Sequence, residues 1–197
     1  MKIIEAVARV LAGWGVSANA MTVAGFLVNA GAGVLAGRGM FAAAAGVAML
    51  GGVCDLLDGK IARLHPERSR YGALLDSSLD RYGDFFLIAG IGFYFSQEGS
   101  APALVAAFSA LMGSFEISYV RARAEGLGFE CRVGFWERGE RWVLLVAGLI
   151  MGNPGTAILI LAIATHFTAL HRIWHIRSVA LGVGSSGSYP KWSRPMN

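Results

Sequence analysis

The chain has 197 residues, 55% of them hydrophobic and only 15% charged. Soluble domains carry about 25% charged residues, so an ordinary water-soluble fold is excluded as the simplest reading and one membrane-embedded domain is expected. A net charge of +4 in so apolar a chain points to anchoring at anionic headgroups, and no aromatic-and-basic pattern speaks for nucleic acid.

At the N-terminus, Ile3, Ile4, Val7, Val10 and Leu11 alternate with Lys2, Glu5 and Arg9. That is helical spacing, and it predicts a short amphipathic helix over about 2–13 lying on the membrane surface. The same charges, with no small-residue cleavage site after a compact apolar run, argue against a removable signal peptide. Six apolar runs then qualify as spanning helices. They cover about Met21–Ala36, Met40–Cys54, Leu74–Phe95, Ala101–Tyr119, Trp142–Met151 and Thr156–Trp174, the fifth being the weakest. Abundant glycine suits close packing of such helices. Residues 182–197 are rich in Gly, Ser and Pro and are expected to be a flexible tail, which leaves 1–181 as a single membrane-embedded domain. Cys54 and Cys131 imply no disulfide framework and read as packing residues.

The basic residues orient the chain. Between the first and second runs lies only Arg38, and none lies between the third and fourth or the fifth and sixth. The remaining Lys and Arg gather on the opposite side, which places both termini and those loops in the cytoplasm of a six-span protein.

Carboxylates break into this apolar chain in one short stretch. They follow the frame D-x2-D-G-x2-A-R-x8-G-x3-D-x3-D, occupied by Asp55, Asp58, Gly59, Ala62, Arg63, Gly72, Asp76 and Asp80. Asp55 and Asp58 are three apart, and Asp76 and Asp80 four apart, so each pair shares a helical face. A cytoplasmic link holding Pro66 makes 55–80 a hairpin, with both pairs at one membrane depth. Acids so crowded need counter-cations, either Arg63 and Arg81 or hard divalent ions with oxygen ligands. Two such ions, Mg2+ with Mn2+ as a substitute, suit displacement at phosphorus. Asp84, one turn further on, reads as a helix-pairing acid rather than a ligand.

The segment Asp55–Asp80 resembles the signature of the CDP-alcohol phosphotransferases at every position of the frame, and the six-span layout is similar to theirs. The resemblance implies an all-α integral-membrane enzyme, commonly a homodimer, that cleaves a CDP-activated alcohol and releases CMP. It implies metal ligation by Asp55, Asp58, Asp76 and Asp80, with Asp80 also the general base. It further implies contacts to the CDP donor from Gly59, Arg63 and Ser69, with Ala62 and Gly72 leaving room for the nucleotide. The stretch Ser17–Thr22 resembles the family's P-N-x-x-T entry to the first helix, with Ala18 in place of Pro. Asn19 and Thr22 there are expected to cap the helix or to face the donor.

The acceptor is addressed by arginines on three cytoplasmic helix ends: Arg121, Arg141 and Arg172. An arginine cluster suits a phosphate-bearing alcohol better than serine or choline. The stretches Ser118–Glu125 and Glu137–Arg141 resemble S-Y-x-K-A-R-A-E and E-R-P-E-R of the branch that uses inositol phosphate. Arg121 stands where Lys is common there, and Gly139 where Pro is common. That resemblance implies an acceptor-phosphate pocket lined by Ser118, Arg121, Arg141 and Arg172. The expected reaction joins CDP-diacylglycerol and inositol 1-phosphate in a cell membrane, with the site facing the cytoplasm. Glycerol 3-phosphate is the alternative acceptor, and a cation-binding transporter the alternative class.

Overall fold

A computed structural model of the chain describes residues 2–64 and 70–181. Ser69 and the 182–197 tail, both named above, lie outside the described residues. Within them the fold is all-α: α1 (Lys2–Gly13), α2 (Ala18–Gly37), α3 (Phe41–Leu64), α4 (Arg70–Gln97), α5 (Ala101–Gly126), α6 (Arg138–Ile150) and α7 (Pro154–Ala180). Four of these, α2, α3, α5 and α7, are long and apolar enough to cross a membrane. The helices outrun the apolar stretches because their polar ends are helical too. Thus α3 continues past Cys54 to Leu64, and α5 past Tyr119 to Gly126. Arg121, beyond the expected end at Tyr119, therefore lies inside α5 together with Ser118.

Helix α1 has three faces. Ala8, 1% exposed, packs with Ile4 and Leu11 against Leu57 and Ile61 of α3. Val7, Val10 and Trp14 form an exposed apolar stripe, while Glu5 pairs with Lys60 at 2.7 Å. Helix α2 is capped by Ser17, whose hydroxyl accepts from Ala20 N at 3.1 Å. Asn19 and Thr22 sit within the helix, which corrects the expectation that either one caps it.

Small residues let the backbones close on one another. A Cβ on Gly33 or Gly90 would strike the facing backbone of the other helix, so α2 and α4 touch there. Gly113 of α5 is likewise pressed against Thr165 of α7. Alanines 32, 36, 44, 45 and 48 fill the core beside Ile88, Ile91, Leu145, Leu149, Ile158 and Leu161. Short turns over 38–40, 98–100 and 151–153 join antiparallel pairs at one end of the bundle. The opposite end holds the polar groups, and one irregular segment there, 127–137, separates α5 from α6. Gly134 in it has φ +113, and a Cβ would meet Thr168 at 2.7 Å and Arg172 at 3.1 Å. Glycine is required on both counts, and it seats the segment against α7.

Candidate active site

Helices α3 and α4 deliver the four frame carboxylates to the polar end of the bundle. Asp58 is buried, and its Oδ2 accepts from the Thr22 hydroxyl at 2.9 Å. Thr22 thus ties α2 to the carboxylate set. Gly25, one turn on, leaves room for Asp55: a Cβ there would come within 3.0 Å of Asp55 Oδ1. Asp76 lies within electrostatic reach of Asp55, Asp58 and Asp80.

The counter-charge comes from neither Arg63 nor Arg81. Arg63 donates to Gly59 O at 2.9 Å, and Arg81 to Ser77 O. Arg138, at the start of α6, reaches between the helices instead. Its Nη2 lies 2.6 Å from Asp55 Oδ2 and its Nη1 2.8 Å from Asp80 Oδ2. One guanidinium thereby joins the two acid pairs of the frame. Sequence reasoning counted Arg138 only among the basic anchors. Its spacing was the signal: Arg138 and Arg141 are three apart, so a helix that aims one at the site aims the other as well.

Among the described residues no three Asp, Glu, His or Cys side chains converge as a finished metal cage. The donor set nonetheless fits a hard divalent ion. It is made of carboxylate oxygens alone, and two of its members already converge on a cation, that of Arg138. Asp55, Asp58, Asp76 and Asp80 are the residues that could hold such an ion.

Beside Asp80 opens a cavity of about 430 Å³. Ser118 and Arg121 line it from α5, Arg138 and Arg141 from α6, and Arg172 from α7. The expected acceptor residues are therefore brought together, next to the expected base. They differ in freedom. Arg172 is 2% exposed and donates to Val133 O and Ile117 O, each at 2.8 Å. Arg141 is 4% exposed and donates to Trp136 O at 3.2 Å and Asp84 Oδ2 at 2.9 Å. Asp84 is thus a pairing acid that bridges α4 and α6. Arg121 is half-exposed and pairs with Glu125 at 3.0 Å and Glu137 at 3.7 Å. Arg63, with Gly59 beside it, does not line this cavity. It shares a second cavity with Arg9 and Lys60.

The model of the CDP-alcohol phosphatidyltransferase family matches residues 15–180. The archaetidylinositol phosphate synthase of Methanothermobacter thermautotrophicus is 36% identical over 165 residues, covering 81% of this chain and 82% of that one. A phosphatidylinositol phosphate synthase of Mycobacterium tuberculosis is 30% identical over 187 residues, covering 88% and 86%. A crystal structure of the M. tuberculosis phosphatidylinositol phosphate synthase with CDP-DAG bound superposes with a TM-score of 0.86 at 26% identity, covering 96% of this chain and 100% of that one. A second, in complex with manganese and citrate, gives 0.84 at 27%, covering 89% of each.

Proposed function

The chain belongs to the CDP-alcohol phosphatidyltransferase family, and from that premise we propose that it transfers the phosphatidyl group of CDP-diacylglycerol to inositol 1-phosphate. The products are phosphatidylinositol phosphate and CMP. The observation that carries the acceptor assignment is the cavity that sets Asp80 beside Ser118, Arg121, Arg141 and Arg172. A phosphate held by those donors would bring the alcohol of the same molecule to the base.

Asp80 takes the proton as the acceptor oxygen attacks the phosphorus that carries diacylglycerol. The new O–P bond forms while the bond to the bridging pyrophosphate oxygen breaks, and CMP leaves with that electron pair. Two divalent ions such as Mg2+, if held by Asp55, Asp58, Asp76 and Asp80, would supply charge neutralisation at the pyrophosphate. Arg63 is placed on the donor side, where its planar fork suits a phosphate. Asn19, Thr22, Gly59, Ala62, Ser69 and Gly72 complete the donor site on this reading. Bound manganese and bound CDP-DAG in the related synthase support it.

The reading places the protein in the cell membrane as a six-span homodimer, with α1 on the surface and both termini and the site on the cytoplasmic side. Outward side chains such as Leu27, Phe108, Ile163 and Phe167 are exposed and apolar, as lipid contact requires. Helix α6 alone, with 13 residues, rises only about 20 Å. Residues 133–137 make up the difference. Val133 already meets Arg172 of α7, so 133–150 travels as far as α7 does from Pro154 to Arg172, about 28 Å. Helix α4 has 28 residues and is long enough to cross, with its charges confined to the half that carries the site.

An acceptor panel tests the proposal: purified protein, labelled CDP-diacylglycerol, Mg2+ or Mn2+, and inositol 1-phosphate, glycerol 3-phosphate, free inositol or serine. Preference for glycerol 3-phosphate would keep the phosphate pocket and change the product to phosphatidylglycerophosphate. Preference for serine or free inositol would refute the pocket. Family membership displaces the cation-transporter reading.

A further inference from the structure

Arg138 stands where two halves of the site meet, and the reaction as proposed gives it no task. It engages Asp55 Oδ2 and Asp80 Oδ2 at 2.6 and 2.8 Å. These are oxygens that a divalent ion at the frame would need, at about 2.0–2.6 Å. A carboxylate oxygen that accepts a short charge-assisted bond from a guanidinium offers little to an ion at the same moment. The two cations compete. Arg138 also lines the 430 Å³ cavity with Arg121, Arg141 and Arg172. Its Nε is buried without a hydrogen-bond partner among the described residues, and its side chain remains 31% exposed. Arg141 and Arg172, by contrast, are pinned by backbone carbonyls. Among the described residues Arg138 is held by carboxylates alone, and its release would send it towards the cavity it already lines.

We propose that Arg138 is an exchangeable cation that couples the two substrate sites: it neutralises Asp55 and Asp80 until a divalent ion displaces it, and then turns into the cavity to bind an anionic group. The inference rests on the metal-dependent reading of the frame. Its first consequence is order, since an Asp80 engaged by Arg138 is a poor proton acceptor, and ion binding frees it. Its second is linkage. If the ion releases Arg138 to a phosphate, the ion must tighten phosphate binding, and phosphate must tighten ion binding by the same factor. Arg138 acts through Asp80 and the anion and is in this sense a positioning residue.

The test uses the full chain in detergent, with Mn2+ binding followed by electron paramagnetic resonance. Inorganic phosphate binding is followed by calorimetry, with and without Mn2+. Arg138→Gln is expected to tighten Mn2+ about tenfold or more, because the competitor is gone, and to lose the Mn2+-dependent gain in phosphate affinity. Arg138→Lys keeps one charge without the two-pronged grip and is expected to fall between wild type and Arg138→Gln. It also serves as the test if Arg138→Gln fails to fold. Mn2+ affinity that is unchanged or weaker in both variants overturns the competition while leaving the metal site standing. Failure of wild type and both variants to bind Mn2+ overturns the inference together with the metal-dependent reading. Phosphate binding indifferent to Mn2+ in wild type overturns the coupling.

Discussion

Replacing Asp84 with asparagine tests whether the acceptor cavity depends on a buried ion pair. Arg141 is 4% exposed, with Asp84 its only carboxylate partner among the described residues. Among the described residues it otherwise hydrogen-bonds the Trp136 carbonyl at 3.2 Å, and its Nε is buried without a partner. A pair of charges about 4 Å apart at an effective dielectric near 20 is worth about 4 kcal/mol. Removing one member of a buried pair costs about 3–5 kcal/mol. Asparagine keeps an acceptor oxygen for Nη2, which retains about 1 kcal/mol, so about 2–4 kcal/mol is lost. The uncompensated guanidinium relaxes towards water and leaves the cavity wall. The assay is steady-state transfer from CDP-diacylglycerol at varied inositol 1-phosphate. KM for the acceptor is expected to rise about 30–700-fold at about 1.4 kcal/mol per decade, with KM for the donor unchanged and a lower melting temperature. Combined with Arg141→Gln, the two effects should fall well short of adding, as contacting residues do. Tighter acceptor binding in Asp84→Asn would show that Asp84 competes with phosphate for Arg141, and the reasoning would fail. Full additivity in the double variant would sink it equally.

Asp80→Asn should lower turnover about 10²–10⁴-fold, the range of a lost general base, while CDP-diacylglycerol still binds; near-normal turnover removes Asp80 from that role. Arg121→Gln is expected to weaken acceptor binding with little change in melting temperature, since Arg121 is half-exposed and paired with Glu125 and Glu137. Arg172→Gln should instead lower the melting temperature first, because it strands the carbonyls of Val133 and Ile117; the reverse ranking would show the two roles to be exchanged. Gly90→Val should disrupt the α2–α4 contact by about 1–3 kcal/mol or more, whereas Gly46→Ala, with nothing within 4 Å of the new methyl, should be neutral or stabilising by up to about 1 kcal/mol. Equal melting temperatures for these two variants would refute the assigned packing. Lys60 holds the Glu5 carboxyl below its ordinary value of 4.5. A lowered folded value means that the pair helps fasten α1 to α3 above the ordinary value and stops as pH falls through the lowered one. Protection of residues 2–13 against hydrogen exchange, relative to the intrinsic rate at each pH, should therefore fall below about pH 4.5 in wild type, and Glu5→Gln should show no such step.

The frame Asp55–Asp80 was legible because its members are close in sequence, and helical spacing alone puts each pair on one face. The apolar runs were legible for the same reason, though their ends were not: Arg121 and Arg123 are as compatible with helix as with loop, and hydropathy stops at the last apolar residue. The Ser17 cap of α2 was missed because Asn19 and Thr22 drew attention to the family's entry motif. The partners of the carboxylates could not be read at all. Arg138 is 83 residues from Asp55, and Arg141 is 57 from Asp84. No local pattern encodes those distances. The segment 127–137 places Arg138 through the fit of Gly134 against Thr168 and Arg172, contacts made only once α7 has returned to the polar end. The sequence does contain the spacing of Arg138 to Arg141, which links the two once either is located.

Charge explains why donor and acceptor groups lie on different helices. Both proposed substrates carry phosphate, and two anions approaching one phosphorus repel. Helices α3 and α4 bring the frame acids to the seam, with Arg63 and Arg81 turned to the carbonyls of Gly59 and Ser77, and those acids demand mobile cations. Helices α5, α6 and α7 bring the arginines of the cavity, of which Arg141 and Arg172 are fixed by backbone carbonyls. A fixed arginine on α3 or α4 would neutralise the carboxylates permanently and exclude the ions. A further acid facing Arg121 from α5 or α7 would close the cavity to phosphate. The two contacts that do cross the seam, Arg138 to Asp55 and Asp80 and Arg141 to Asp84, differ in kind for this reason. The second is buried and holds α4 to α6 at a set distance. The first is half-open and made by the frame carboxylates themselves, so it is the contact that substrate ions can exchange.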